Sequence, residues 1–231
     1  MMGGYEAIKG YLIQAIIFLI DALKEDNKWT SFEIEPIIQS KKEDYISEKV
    51  DIKWYFEQSK RTRLVQVKHS KNQINKPNIK KWIEELKKSV EAEEYELCVA
   101  GSFSDWVINN DLVMGTKIRC FNVEFDGLIP QTAQMLGMYI ASQGWNELKS
   151  KTNLTLLKSL ITEVLLFSDG KEITRDQFNG IIQGLIKSFI EGKIQSNETV
   201  SLIKEELEQR RGLRKYEKGF ELRKKYQEYY S

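Results

Sequence analysis

Apolar residues recur every three to four positions over the first stretch of the chain. In residues 3–26, Ala7, Tyr11, Ile16, Leu19, Ile20 and Leu23 keep this spacing behind Gly3 and Gly4, which predicts a helix. The period then falls to two. Residues 31–37 alternate, and so do 49–56, where Val50, Ile52, Trp54 and Phe56 share a side. A short polar connection leads into 63–70, where Val65 and Val67 alternate with Gln66 and Lys68. Pro77 opens a predicted helix over 77–94, with Ile79, Trp82, Ile83, Leu86 and Val90 as its inner stripe. Residues 95–101 and 116–125 read as two more strands, giving the order α-β-β-β-α-β-β. From Gly127 the alternation is gone. Residues 154–167, 174–190 and 198–211 have helical spacing, with Thr174 as an N-cap. The stretch 213–230 is a charged helix carrying Tyr216, Phe220, Tyr226, Tyr229 and Tyr230, a packing or oligomer seam. The expectation is an α/β domain over 1–126 followed by an all-helical domain over 127–231, without internal repeats.

Composition narrows the class. Of 231 residues, 41% are hydrophobic and 30% charged, the balance of a folded, soluble protein. A formal net charge of +1 argues against a general polycationic coat for nucleic acid. Cys98 and Cys120 lack metal-type spacing and read as buried thiols in a reducing cytoplasm; a disulfide is the alternative. The apolar run 15–20 is closed by Asp21, too short to span a bilayer, and no export signal precedes it. A cytoplasmic protein without a membrane partner is expected. His69, the only histidine, excludes a multi-histidine metal site and reads as a core or interface residue. No glycine-rich phosphate loop occurs.

The charge is unevenly spread. Between Gln58 and Lys81 lie eight basic residues (Lys60, Arg61, Arg63, Lys68, Lys71, Lys76, Lys80 and Lys81) and no acid. Such a tract suits a phosphate backbone, with Asn72, Gln73, Asn75 and Asn78 as added donors; a solvated loop and helix face is the plainer reading. Strands 49–56 and 63–70 make a hairpin by default. Aligning their apolar faces puts Asp51 beside Gln66 and Lys68. A turn centred near Ser59-Lys60 sets Asp51 opposite Lys68, with Cβ atoms about 4.5–5.5 Å apart; a register shift of one pair preserves the parity. Asp51 and the Gln66 side-chain oxygen are hard ligands suited to Mg²⁺ at about 2.0–2.1 Å. Lys68 then suits orienting a water and stabilising developing negative charge, as phosphodiester hydrolysis requires. The plainer reading is a cross-strand salt bridge on a wet sheet face.

Asp51 followed by Gln66-Val67-Lys68, on strands preceded by a helix and a strand and followed by a helix and a strand, resembles the PD-(D/E)XK nuclease superfamily. The likeness covers about residues 3–125. Gln66 stands in the usual acid's place, as in the Mrr-like branch, and Lys49-Val50 precedes Asp51 without the proline of the name. "GGYEAIKGYLIQA" together with "VQVKHS" resembles the N-terminal effector endonuclease of bacterial anti-phage systems, CBASS (CD-NTase-associated) and related ones. The resemblance implies a restriction-endonuclease-like αβββαβ core with a mixed sheet. It implies a Mg²⁺- or Mn²⁺-dependent endonuclease of double-stranded DNA with little sequence specificity. Asp51, Gln66 and the Val67 carbonyl would be the metal ligands. Gln14 (behind Gly10) and Glu35 follow as further site candidates, and Glu6 after them. Lys60, Arg61, Arg63, Lys71, Lys76 and Lys80 would carry the nucleic acid. A sensor or ATPase partner, or homo-oligomerisation through the helical domain, would activate the effector. The neutral Gln66 keeps an alternative open: a catalytically inactive restriction-like fold serving as a nucleic-acid-binding or scaffolding subunit.

Overall fold

A computed structural model describes residues 2–24, 28–36, 50–56, 61–89, 91–121, 125–145, 148, 150–166 and 170–192. Its elements run α1 (Met2–Ala22), β1 (Trp29–Ile34), β2 (Ile52–Phe56), β3 (Arg61–Ile74), α2 (Lys76–Ser89) and β4 (Glu94–Phe103). Then come α3 (Asp105–Ile108), β5 (Leu112–Val113), β6 (Thr116–Phe121), α4 (Phe125–Ser142), α5 (Ser150–Leu166), β7 (Ile173–Thr174) and α6 (Arg175–Ile190). The strands form one mixed seven-stranded sheet in the order β5-β6-β4-β3-β2-β1-β7. β1, β2 and β3 pair antiparallel, whereas β3, β4 and β6 pair parallel. A parallel neighbour needs a crossover, and α2 supplies the one between β3 and β4. Asn75 caps that helix: its amide donates to Asn78 Oδ1 at 3.0 Å, and the Asn78 amide donates back to Asn75 Oδ1 at 3.2 Å.

Each face of the sheet is apolar for its own reason. On one, α2 lays Ile79 and Ile83 against Leu97, Val99 and Ile118, while Leu86 meets Val50 and Leu64. On the other, Phe18 stacks on Trp54 at 5.2 Å, and Trp29, Phe32 and Phe178 complete the aromatic cluster. From Ile13 to the end of α1 at Ala22 every residue is buried, all apolar but Gln14 and Asp21. A helix buried on all sides needs cover on all sides, and α4 and α5 pack behind it. Close approach there depends on Gly137, where a Cβ would lie 2.2 Å from Asn153 Nδ2.

These contacts alter the expected layout. Sheet and helices α4–α6 belong to one compact unit, Met1–Ile194, so the boundary expected at 126/127 does not divide the described chain. β7 adds a strand to β1, pairing Ser31 with Thr174. The strand expected over 116–125 stops at Phe121, and Phe125 already begins α4. β3 is longer than expected and β1 shorter. The helices expected at 198–211 and 213–230 lie outside the described residues. Thr174 caps α6 as anticipated, in a full capping box with Gln177. Among the described residues no helix is long and apolar enough to cross a membrane.

Candidate functional site

β2 is five residues long and β3 fourteen, so β3 runs on beyond the point where β2 leaves it. Asp51 sits at that fork. The ladder pairs Phe56 with Arg61 and Ile52 with Val65, so the next step sets Asp51 beside Gln66. The expected partner, Lys68, is one pair further along. The connection spans residues 57–60 and is centred one residue earlier than Ser59-Lys60, which moves the register by a pair and keeps the parity. Asp51 lies in a bend, and four hydrogen bonds hold it. Its amide donates to the Val65 carbonyl at 3.0 Å. Its own carbonyl accepts from the Glu35 amide at 2.8 Å and from Gln14 Nε2 at 3.3 Å. Its Oδ2 accepts from the Val67 amide at 2.5 Å, in place of a backbone carbonyl that a longer β2 would have offered.

Gln66 and Lys68 lie on β3 alongside Leu97 and Val99 of β4, hence on the α2 side of the sheet. Gln66 is buried at 1% exposure and Lys68 is half-buried. Burial pushes the Asp51 carboxyl up to about 7; the Val67 N–H and the Lys68 ammonium oppose that rise, and the Glu35 carboxylate adds to it. Lys68 and Glu35 are therefore both within electrostatic reach of Asp51. Glu35 has φ 48°, the left-handed region, directly before Pro36. A non-glycine residue in that conformation costs about 1–3 kcal/mol, so the neighbouring bonds must hold it. The same sheet face carries Glu33, Lys53 and Tyr55; the tyrosine hydroxyl donates to Glu33, and Lys53 pairs with Glu33 at 3.8 Å.

The structure thus gathers Asp51, Gln66, Lys68 and Glu35, with Gln14 beneath. Gln14 spends its amide nitrogen on a backbone carbonyl, and a Cβ at Gly10 would meet nothing within 4 Å, so no close approach requires that glycine. The side chain of Glu6 and all of Lys60 lie outside the described residues. The basic tract divides. Arg61 pairs with Glu94 at 2.6 Å; Arg63 pairs with Glu94 at 3.0 Å and Glu96 at 3.5 Å, and both guanidinium groups lie over Phe56. The start of β4 neutralises both. Lys71, Lys76, Lys80 and Lys81 are exposed, on the far arm of β3 and the first turns of α2. Of the amides read as phosphate donors, Asn75 and Asn78 cap α2, and Gln73 donates to the Phe103 carbonyl at 3.3 Å. His69 is half-buried on the face opposite Lys68, and both cysteines are free, Cys98 buried and Cys120 exposed.

One cluster escaped the sequence reading. Across the sheet from Asp51, Arg119 grips Asp21 with two bonds of 2.5 and 2.6 Å, pairs with Glu96 at 3.1 Å and donates to Cys98 Sγ at 3.3 Å. The one signal in the chain was an acid, Asp21, closing an apolar helical run. As metal donors, the described residues offer no group of three or more His, Cys, Asp or Glu side chains. What converges is the Asp51 carboxylate, the Gln66 amide and Glu35. The Val67 carbonyl faces the same strand edge as its N–H, which already points to Asp51. In comparisons with known proteins, no family model, no curated protein and no solved structure matches the chain.

Proposed function

We propose that the chain is a restriction-endonuclease-like, metal-dependent DNA endonuclease, the effector of an anti-phage system that is activated by a sensor partner or by self-association. The observation that carries this reading is the fork of β2 and β3, where Asp51 is held by the Val67 amide beside Gln66 and Lys68. The helix–three strands–helix–strand order, with β3 parallel to β4, supports it. The donor set fits a hard divalent cation, Mg²⁺ or Mn²⁺: oxygen ligands only, and a carboxylate whose anion burial and Glu35 disfavour until a cation arrives. Asp51, the Gln66 side-chain oxygen and the Val67 carbonyl would hold the ion, with Glu35 within reach. When bound, such an ion supplies charge neutralisation at the phosphate and a more acidic water. Lys68 orients the attacking water and meets the charge that develops on the phosphoryl oxygens. Lys71, Lys76 and Lys80 receive the flanking backbone, and the ion-paired Arg61 and Arg63 drop out of that surface.

The second reading, a binding or scaffolding subunit without catalysis, is favoured by the neutral Gln66 and the lack of a three-acid cluster among the described residues. Incubating supercoiled plasmid with Mg²⁺ over a protein concentration series separates the two. Cleavage by the wild type, reduced about 10²-fold or more in Asp51→Ala and Lys68→Ala, supports the nuclease. DNA retention without cleavage at any concentration supports the scaffold.

A further inference from the structure

We propose that Gln14 is a positioning residue: from α1, through a hydrogen bond to the Asp51 carbonyl, it sets where the Asp51 carboxylate stands. The sequence presented Gln14 as a candidate ligand, but its amide nitrogen is committed to backbone at 3.3 Å and the residue is 8% exposed. Asp51 keeps one backbone bond to β3, from its amide to the Val65 carbonyl at 3.0 Å. It lies outside β2, and its carbonyl has two donors, the Glu35 amide from the end of β1 and Gln14 from α1. The Glu35 donor stands in a left-handed conformation next to Pro36, and Gln14 adds a second grip from regular structure. Gln14 provides that grip from a helix that is itself immobilised. Two turns further on, Asp21 is locked to Arg119 by the paired bonds described above. Holding this peptide plane limits backbone rotation at Asp51, and with it the approach of the side chain to the Val67 amide. Removing the amide of Gln14 leaves the Glu35 bond alone on this carbonyl and loosens the contact between Asp51 Oδ2 and the Val67 N–H.

The catalytic consequence rests on the nuclease reading; the positioning itself does not, and Val67 reports on it directly. Amide hydrogen exchange is compared between wild type and Gln14→Met, close in size and lacking the donor. If Gln14 positions Asp51, Val67 exchanges about three- to tenfold faster in the variant while Val99, in the neighbouring strand, is unchanged. Equal acceleration of both amides means general destabilisation and overturns the proposal; so does an unchanged Val67. Should Gln14→Met fail to fold, Gln14→Asn, which keeps an amide too short to reach the carbonyl, is read by the same criterion. In the plasmid assay with Mg²⁺, the variant lowers kcat and leaves KM for DNA alone; a rise in KM at constant kcat contradicts positioning. If the wild type cleaves nothing, the nuclease reading falls, and the Val67 exchange rate still decides the role of Gln14.

Discussion

Replacing Asp51 with asparagine should make the metal-free protein more stable at alkaline pH. The carboxyl is pushed from 3.8 to about 7, so the folded chain holds this proton more tightly than the unfolded chain does. A group shifted in that direction contributes stability below its unfolded value and loses it as pH rises through the folded one. With about 1.36 kcal/mol per unit, the rise from 3.8 to about 7 sets an upper limit of about 4 kcal/mol lost across that window. Asparagine resembles the protonated acid in shape and charge, and its oxygen still accepts from the Val67 amide. The Lys68 attraction is already contained in that shift, and relaxation and water penetration around a buried carboxylate reduce the penalty further. The net expectation is therefore a smaller stabilisation, about 1–3 kcal/mol at about pH 8, shrinking towards zero near pH 4. Urea titrations of both proteins in EDTA across this range give the difference directly, provided their m-values agree. Other titrating groups cancel between the two proteins, so the pH dependence of the difference belongs to position 51. Adding Mg²⁺ then raises the wild-type midpoint at alkaline pH and leaves Asp51→Asn behind, since only the carboxylate gains from the cation. An Asp51→Asn protein less stable than wild type at alkaline pH without metal refutes this account of the site.

Changing Lys71, Lys76 and Lys80 together to alanine should weaken DNA binding and flatten its salt dependence, by about 0.9 in the log–log slope for each phosphate no longer neutralised. Arg61→Ala, whose guanidinium is committed to Glu94, should leave that slope unchanged; equal effects from both would restore the arginines to the binding surface. Arg119→Met should cost about 3–5 kcal/mol in urea unfolding, because Asp21 and Glu96 are left as buried carboxylates without their shared cation; a cost under about 1 kcal/mol would mean the cluster is hydrated. Gly101→Ala should destabilise by at least about 1–3 kcal/mol, since φ is 143° and a Cβ would lie 2.5 Å from the Ser70 carbonyl oxygen. A neutral result in thermal unfolding would show that β3 and β4 separate there.

Local periodicity carried much of this fold into view and long-range pairing little of it. Ile52, Trp54 and Phe56 alternate, as do Leu64 and Gln66, because each strand has two faces; that parity alone placed Asp51, Gln66 and Lys68 on one side. Register depends on the turn, and residues 57–60 contain no dipeptide that dictates its type, so Lys68 was expected where Gln66 stands. The basic tract misled for a related reason. Arg61 and Arg63 sit thirty-odd positions from Glu94, and only the parallel β3–β4 pairing brings those acids alongside. Arg119 and Asp21 are 98 positions apart, beyond any periodic signal. The helices after Gly127 were legible as helices but were expected to form a domain of their own; that α4 and α5 pack on α1 within one unit depends on contacts between distant segments, which periodicity does not show.

Asp51 is hard to explain as a residue kept for stability. Its carboxyl is strained towards protonation, the Glu35 beside it occupies an unfavourable backbone conformation, and a buried glutamine adjoins it where a leucine would pack at lower cost. A plain salt bridge between Asp51 and Lys68 would hold the carboxyl below its ordinary value; here burial and Glu35 outweigh the lysine. Burial and the Glu35 carboxylate disfavour the Asp51 anion more than Lys68 and the Val67 amide favour it, the imbalance that the proposed cation would relieve. The Arg119 cluster on the opposite face makes the contrast. There, buried acids meet guanidinium groups as ion pairs, Asp21 through two bonds to Arg119 and Glu96 between Arg119 and Arg63. The same sheet therefore carries one cluster of direct ion pairs and one site where burial holds a carboxyl above its ordinary value, and the second lies where β2 begins and β3 continues towards the exposed lysines.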